Sequence, residues 1–455
     1  MSKKIINVKR LPKDPGPAAW NSILPDVAAY PELDEDIGID RQVDWVIIGG
    51  GYTGLAAARR LAQLVGSEES IVLLEAGRMA DGPAGRNSGF MIDLPHELNS
   101  ETYTGSHEQD LQQVRLNRAA IKFAADMAQE YAMDQQTFDP CGKVTAAGTD
   151  KGVAHIQSYA KHLDALGEKY QLRNAAQMKD WTGSDFYQQG LFTPGAVVIQ
   201  PAAFIRQAAQ GLSKRVAIYE NSPVTAMELG NTHKLVTPRG SIRAKQVIMA
   251  VNGHIQSFGF FPRQLLHVFT YASMTRALTR QEIKRLGGAS DWGILPADPI
   301  GTTVRRFSNY LGSGDRIVVR NHATLNQSIE ACDRNMRKAE KIQDRSFANR
   351  FPMLDGIEME HRWGGRLCLS LNSMAAFGEV EDRVWSACCH NGLGTVKGTL
   401  AGMMAAEQAV LGKSEMLNDF LINQQAPAKL PPEPFLSLGA NAVMAWKEWR
   451  AGKEL

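Results

Sequence analysis

The stretch 43–77, VDWVIIGGGYTGLAAARRLAQLVGSEESIVLLEAG, constrains what the rest of the chain can fold into. Val43, Trp45, Val46, Ile47 and Ile48 form a nearly continuous apolar run, as a strand buried on both faces requires. Gly49, Gly51 and Gly54 follow as G-x-G-x-x-G, and Leu55, Ala58, Leu61, Ala62 and Val65 recur at helical spacing. A second apolar run at 71–74 ends in Glu75 and Ala76. Such a turn opens a helix whose first N–H groups, at Tyr52 and Thr53, lack intrahelical partners and carry partial positive charge, a position suited to phosphate. Gly49 permits the tight turn, Gly51 lets a pyrophosphate approach the backbone, and Gly54 lets helix and strand pack closely. Glu75, 24 residues beyond Gly51, is placed to accept hydrogen bonds from ribose hydroxyls. The spacing predicts a dinucleotide-binding unit.

Composition removes several alternatives. A chain of 455 residues has room for two domains, and a net charge of +2 argues against a dedicated nucleic-acid binder. No apolar run reaches the roughly 20 residues of a membrane helix, and the first residues show no apolar signal core. The five cysteines, Cys141, Cys332, Cys368, Cys388 and Cys389, form no C-x-x-C and no even-numbered disulfide framework. A cytoplasmic protein with reduced thiols is expected. Cys388, Cys389 and His390 read as strand residues and not as a metal site, because no further ligands stand at suitable spacing.

A second βα unit stands near the end: a buried strand at 383–388, the turn His390-Asn391-Gly392-Leu393-Gly394-Thr395, and a helix over 396–411. The first and last thirds therefore build one domain with another inserted. The expected fold class is α/β, or α+β over the whole chain. A Rossmann-like cofactor domain is assembled from 41–132, 195–254 and 356–412; a substrate domain with a mixed or antiparallel sheet comes from 133–194 and 255–355. Residues 1–40 form an arm broken by five prolines and carrying an acidic run at 32–36, and 413–455 a polar, proline-containing tail. Helices are predicted at 107–132, 155–166, 175–181 and 201–212, strands at 246–251, 268–274 and 316–320, and one or two long polar helices over 325–351.

That layout resembles the FAD-dependent D-amino-acid oxidase (DAO) superfamily, with its glycine and sarcosine oxidases, and most closely the branch of γ-glutamylputrescine oxidase-like enzymes. Gly49, Gly51, Gly54 and Glu75 match its ADP-binding fingerprint. Gly85-Arg86-Asn87-Ser88-Gly89-Phe90 matches the loop that passes along the isoalloxazine, with Ser88 where the branch often has glycine. Val224 stands where a backbone amide holds adenine, and Asn252-Gly253 at the strand end that closes over the cofactor. Arg362-Trp363-Gly364-Gly365 is similar to a Trp-x-Gly segment, and Gly392-Leu393-Gly394-Thr395 resembles the late loop facing flavin N1 and O2. The resemblance implies FAD as cofactor, held without a covalent bond; a link through Cys368 is not expected. Lys397 falls one position later than the lysine of sarcosine oxidases, about 100° around a helix, so that role does not carry over.

The activity implied is oxidation of a primary or secondary amine or amino acid by hydride transfer from the carbon next to nitrogen to flavin N5. An imine results, and H2O2 when O2 reoxidises the flavin. Such chemistry belongs to the cofactor, so no acid–base pair need be visible in the sequence. Substrate-side candidates are Arg86, Met91, His267, Tyr271, Arg306 and Arg320; an arginine can clamp a carboxylate through two hydrogen bonds. Arg305 stands beside this set. Surface ion pairing is the alternative for the arginines, and packing for His267, Tyr271, Trp292 and Trp363. The partners expected are a small-molecule amine and O2, with no nucleic acid and no membrane span; the oligomeric state stays open. Rival readings are a dehydrogenase of the same fold that passes electrons to a quinone or carrier protein, a nicotinamide-dependent dehydrogenase, and an FAD-binding protein without amine turnover.

Overall fold

The computed structural model describes residues 4–34, 42–95, 107–422 and 424–455; the end of the acidic run, at 35–36, and the arm boundary at 40 lie outside these. The strand Gln42–Ile48 sits inside a nine-stranded sheet. It pairs in parallel with Ile71–Leu74 on one side and Ser241–Met249 on the other, and Ala217–Tyr219 and Val384–Cys388 continue the parallel part outward. Burial on both faces explains the continuous apolar runs. On one face, Trp45, Ile47 and Leu73 pack with Leu55, Phe204 and Leu400 of the helices Tyr52–Leu64, Pro201–Leu212 and Val396–Leu411. On the other, Val46 and Ile48 share a cluster with Met227 and Leu235 of the antiparallel strands Ala226–Leu229 and His233–Val236. The last helix crosses the first closely: a Cβ at Gly402 would lie 2.1 Å from Thr53 O.

A second sheet of eight strands runs in the order Met359–Leu369, Leu266–Thr275, Arg316–Leu325, Thr303–Phe307, Trp292–Pro296, Lys143–Ala147, Gln189–Thr193 and Gln171–Asn174. All its pairings are antiparallel except that of Trp292–Pro296 with Lys143–Ala147, so the sheet is mixed, as expected. A small sheet of Phe90–Met91, Val197–Ile199 and Phe138–Asp139 joins the two bodies.

Several elements depart from the sequence reading. Residues 359–369, expected in the cofactor domain, add an edge strand to the substrate sheet. The strand expected at 246–251 begins earlier and runs over Ser241–Met249, in which Lys245 is merely the exposed position of the pleat. The long polar helix starts at Asp333, because residues 321–325 continue the preceding strand. The arm contributes an edge strand, Lys4–Asn7, against Ala226–Leu229, and one helical turn that buries Trp20. The tail contains the helices Glu415–Leu421 and Phe435–Ala451.

Candidate active site

One cleft runs between the parallel sheet and the substrate sheet, with about 2180 Å³ of space that includes open solvent. Its first end is made of backbone. Gly49, at φ +106°, turns the chain, and a Cβ at Gly54 would lie 1.8 Å from Gly49 O, so only glycine lets the turn close into the helix. Gly51, Tyr52 and Thr53 line the cleft at the helix N-terminus, which no side chain caps. A Cβ at Gly51 would meet only Ala84 Cβ, at 3.4 Å. This is a cradle with room for a group to approach the backbone.

Glu75 accepts from Gly50 N at 2.7 Å and Gly77 N at 3.1 Å, yet burial still pushes its carboxyl above the ordinary range. Two ribose hydroxyls would supply the missing donors. Val224, Asn252 and Gly253 also line the cleft, with Ser222, Pro223 and Val251. Glu220, which the sequence did not single out, orders the neighbouring loop by accepting from Arg78 Nε at 2.8 Å and Tyr30 N at 3.0 Å.

The middle of the cleft is the segment 84–90. Three consecutive carbonyls are tied by buried side chains: Arg86 O by Trp363 Nε1 at 3.0 Å, Asn87 O by Trp20 Nε1 at 2.9 Å, and Ser88 O by Arg305 at 3.0 Å. Asn87 closes the loop on itself, donating to Ala84 O at 2.7 Å and accepting from Gly89 N at 2.8 Å. Gly89, at φ +78°, leaves no room for a Cβ, which would stand 2.2 Å from Ile199 O. Opposite, Gly392, Leu393, Gly394 and Thr395 line the cleft where the helix Val396–Leu411 begins, again without a side-chain cap. Thr395 Oγ1 donates to Phe90 O at 2.6 Å, which joins the two loops. A flat, electron-accepting ring fits between such rigid backbone edges, with a helix N-terminus available to negative charge. Cys368 also lines the cleft, but its hydrogen bond with Cys389, together with burial, holds it as a thiol well above the usual range. It is therefore a poor nucleophile for attaching a cofactor.

The far end carries side chains. Thr270, Thr303 and Arg320 come from three adjacent strands and share one face, Thr303 directly opposite Arg320. Arg320 Nε donates to Thr270 Oγ1 at 3.3 Å, and among the described residues no carboxylate pairs with it. Burial alone pushes its guanidinium down to about 10. A second cleft arginine, Arg366, is different. Asp14 of the arm grips it through two hydrogen bonds of 2.9 and 3.0 Å, and it donates to His254 Nε2. His267 lines the cleft beside this pair and bonds Gln256 Oε1 at 2.7 Å. Burial, then Arg366, lowers its imidazole to about 4, so it is neutral.

Three substrate-side expectations are corrected. Strand alternation puts Phe90 and Ile92 in the cleft wall and turns Met91 into the core. Arg305 and Arg306 alternate likewise: Arg305 holds the middle loop, whereas Arg306 points to the opposite face and donates to Gly287 O. Tyr271 follows a bulge, stacks on His322 and bonds Thr324 Oγ1 at 2.7 Å beneath the helix Asp333–Arg350. Arg86 does lie at the cleft, but its guanidinium is spent on the carbonyls of Asp81, Pro15, Gly16 and Gly364. Trp292 is core, stacked near Trp181 and Phe351. Reasoning from sequence missed Asp14, Trp20 and Arg366 as site residues. The arm prolines beside a buried tryptophan were the available signal.

Comparison with known proteins gives a consistent picture. A profile of the family described as FAD dependent oxidoreductase (DAO) matches residues 44–408. The chain is 25% identical over 414 residues to gamma-glutamylputrescine oxidoreductase of Escherichia coli K12, covering 90% of each chain. It is 26% identical over 437 residues to a probable oxidoreductase, OrdL, of Rhizobium meliloti, covering 92% and 93%. Among solved structures it superposes on glycine oxidase from Geobacillus kaustophilus with TM-score 0.64 at 17% identity, over 82% of this chain and 96% of that one. For L-amino acid deaminase from Proteus vulgaris the TM-score is 0.63 at 15% identity, over 85% and 97%.

Proposed function

The chain belongs to the DAO family of FAD-dependent oxidoreductases, and on that premise we propose that it oxidises a primary or secondary amine bearing an anionic group, amino acids included. The chemistry supplied by bound FAD is acceptance of a hydride from the carbon next to nitrogen, with O2 as final acceptor, giving an imine and H2O2. The chain's own residues bind, orient and exclude water. Gly49 to Thr53, Glu75 and Val224 would hold the dinucleotide end, and residues 86–89 and 392–395 would hold the ring. The N–H groups at the start of helix Val396–Leu411 favour negative charge that develops near them.

The observation that carries the substrate reading is Arg320. Its half-buried guanidinium lines the cleft without a carboxylate partner among the described residues, and a substrate carboxylate arriving there would pair with it through charge-assisted hydrogen bonds. Thr270 and Thr303 offer further hydroxyls beside it, and Phe90, Ile92 and Leu295 keep the neighbouring wall dry. Arg366 is already neutralised by Asp14, so it does not compete for the anion. The relatives' names, an amine derivative in one case and amino acids in others, support the amine class. The cysteines are all free, which supports a reducing, cytoplasmic setting.

The test is a visible spectrum of the purified protein under nitrogen during addition of amines with and without a carboxylate, followed by air. Bleaching of the flavin band by carboxylate-bearing amines, and rapid recovery in air with release of peroxide, is expected. Slow recovery contradicts O2 as the acceptor and favours the dehydrogenase. A yellow protein that no amine bleaches contradicts amine turnover.

A further inference from the structure

The 17-residue helix Phe435–Ala451 has its amphipathic character turned outward. Glu448 faces the protein, paired with His322 and, at 3.6 Å, with Lys338 of the helix Asp333–Arg350. Phe435 is 70% exposed, Leu438 67% and Trp449 78%, with Val443 and Trp446 exposed beside them. Positions 435, 438, 442, 446 and 449 follow one another at steps of three and four, so they form a single stripe along about 21 Å of helix. The charges are sorted too. Within 435–455 both glutamates are turned inward, Glu454 accepting from Gly148 N at 2.7 Å. Lys447, Arg450 and Lys453 remain towards the surface, Arg450 lying 4.6 Å over the Trp446 ring. On the adjoining helix Arg334, Arg337, Lys341 and Arg345 are exposed; of its acids Asp333 is exposed as well, while Glu340 and Asp344 are engaged by Arg362.

We propose that this face docks on an anionic lipid bilayer, with the helix lying in the interface. Tryptophan rings suit the headgroup level, where an apolar body and an N–H are both satisfied, and a border of cations is attracted by anionic lipid. The helix cannot cross the bilayer; no helix among the described residues is long and apolar enough to do so. A second copy of the chain is a poorer occupant. Two-fold pairing through this stripe would offer Lys447, Arg450 and Lys453 of each copy a single exposed carboxylate from the same segment, Glu433, to answer them. The inference does not rest on the reaction assigned above, and its test needs no turnover.

The experiment is flotation of the full-length holoenzyme with vesicles of phosphatidylcholine alone and with added phosphatidylglycerol. Association with the anionic vesicles, weakened by salt, is expected. Replacing Trp446→Ser and Trp449→Ser together should weaken it by at least about tenfold, because these side chains supply the inserted area. Lys447→Gln with Lys453→Gln should weaken binding to anionic vesicles and reduce the preference for them. These side chains project outward, and a thermal melt checks that the variants fold. The lipid and salt dependence of the unaltered protein is decisive by itself. Failure of a monodisperse protein to float overturns the proposal, as does a solution dimer that dissociates on Trp449→Ser.

Discussion

Along the first end of the cleft, Gly49 to Thr53 and the start of helix Tyr52–Leu64 present backbone N–H groups to whatever lies there. At the far end Thr270, Thr303 and Arg320 present side chains carried by three strands of another sheet. Backbone groups at a helix start have a geometry that glycine spacing enforces locally. Side chains on paired strands acquire theirs from register, which depends on residues far apart in sequence. The same division separates the two cleft arginines: Arg366 is answered within the chain by Asp14, and Arg320 is left for a ligand to answer.

The contrast breaks most severely at Gly54. A Cβ there would stand 1.8 Å from Gly49 O, so Gly54→Val is expected to abolish both the folded state and flavin retention, read from soluble yield and visible absorbance. Asp14→Asn removes one partner of a buried ion pair and should cost about 3 kcal/mol of stability in denaturant unfolding. If Asp14 instead leaves stability untouched, the two arginines are not distinguished as described. Arg320→Met should lower kcat/KM for a carboxylate-bearing amine by about 2 kcal/mol, or roughly 30-fold, and leave the flavin spectrum in place. At the backbone end, Gly51→Ala meets only Ala84 Cβ, so Tm should hold while FAD affinity falls on the order of tenfold.

The smallest effect concerns the histidines. Burial lowers His254, His267 and His390 from the ordinary 6.5, the last two to about 4. Between these values the unfolded chain binds more protons than the folded one, so stability rises with pH there. It is therefore lost as pH falls from about 6.5 towards 4. His267→Gln should flatten part of the dependence of Tm on pH across that window, the other buried histidines carrying the rest.

The asymmetry between the two ends governs how much was legible beforehand. The strand, glycine turn, helix and acid of 42–75 could be read because each constrains its neighbours within a few residues. The late turn at 392–395 could be read for the same reason. Ranges such as Ile71–Leu74, Pro201–Leu212 and Val396–Leu411 coincide with the structure because their apolar periodicity is strong and local. The edge strand Lys4–Asn7 carried no such signal, since it gains its place only by pairing with Ala226–Leu229. Met91, Tyr271 and Arg306 were placed on the wrong side of their strands; alternation is certain, but its phase relative to the cleft is fixed by tertiary packing and, at Tyr271, by a bulge. Asp14 was out of reach because its partner lies 352 residues away.

The most direct measurement is anaerobic titration of the flavin band with one amine in two forms, carboxylate and carboxamide, in the unaltered protein and in Arg320→Met. The account predicts that the unaltered protein binds and reduces with the carboxylate far better than the carboxamide, and that Arg320→Met loses the difference. Equal response of the unaltered protein to both forms, or a preference that survives Arg320→Met, would contradict it.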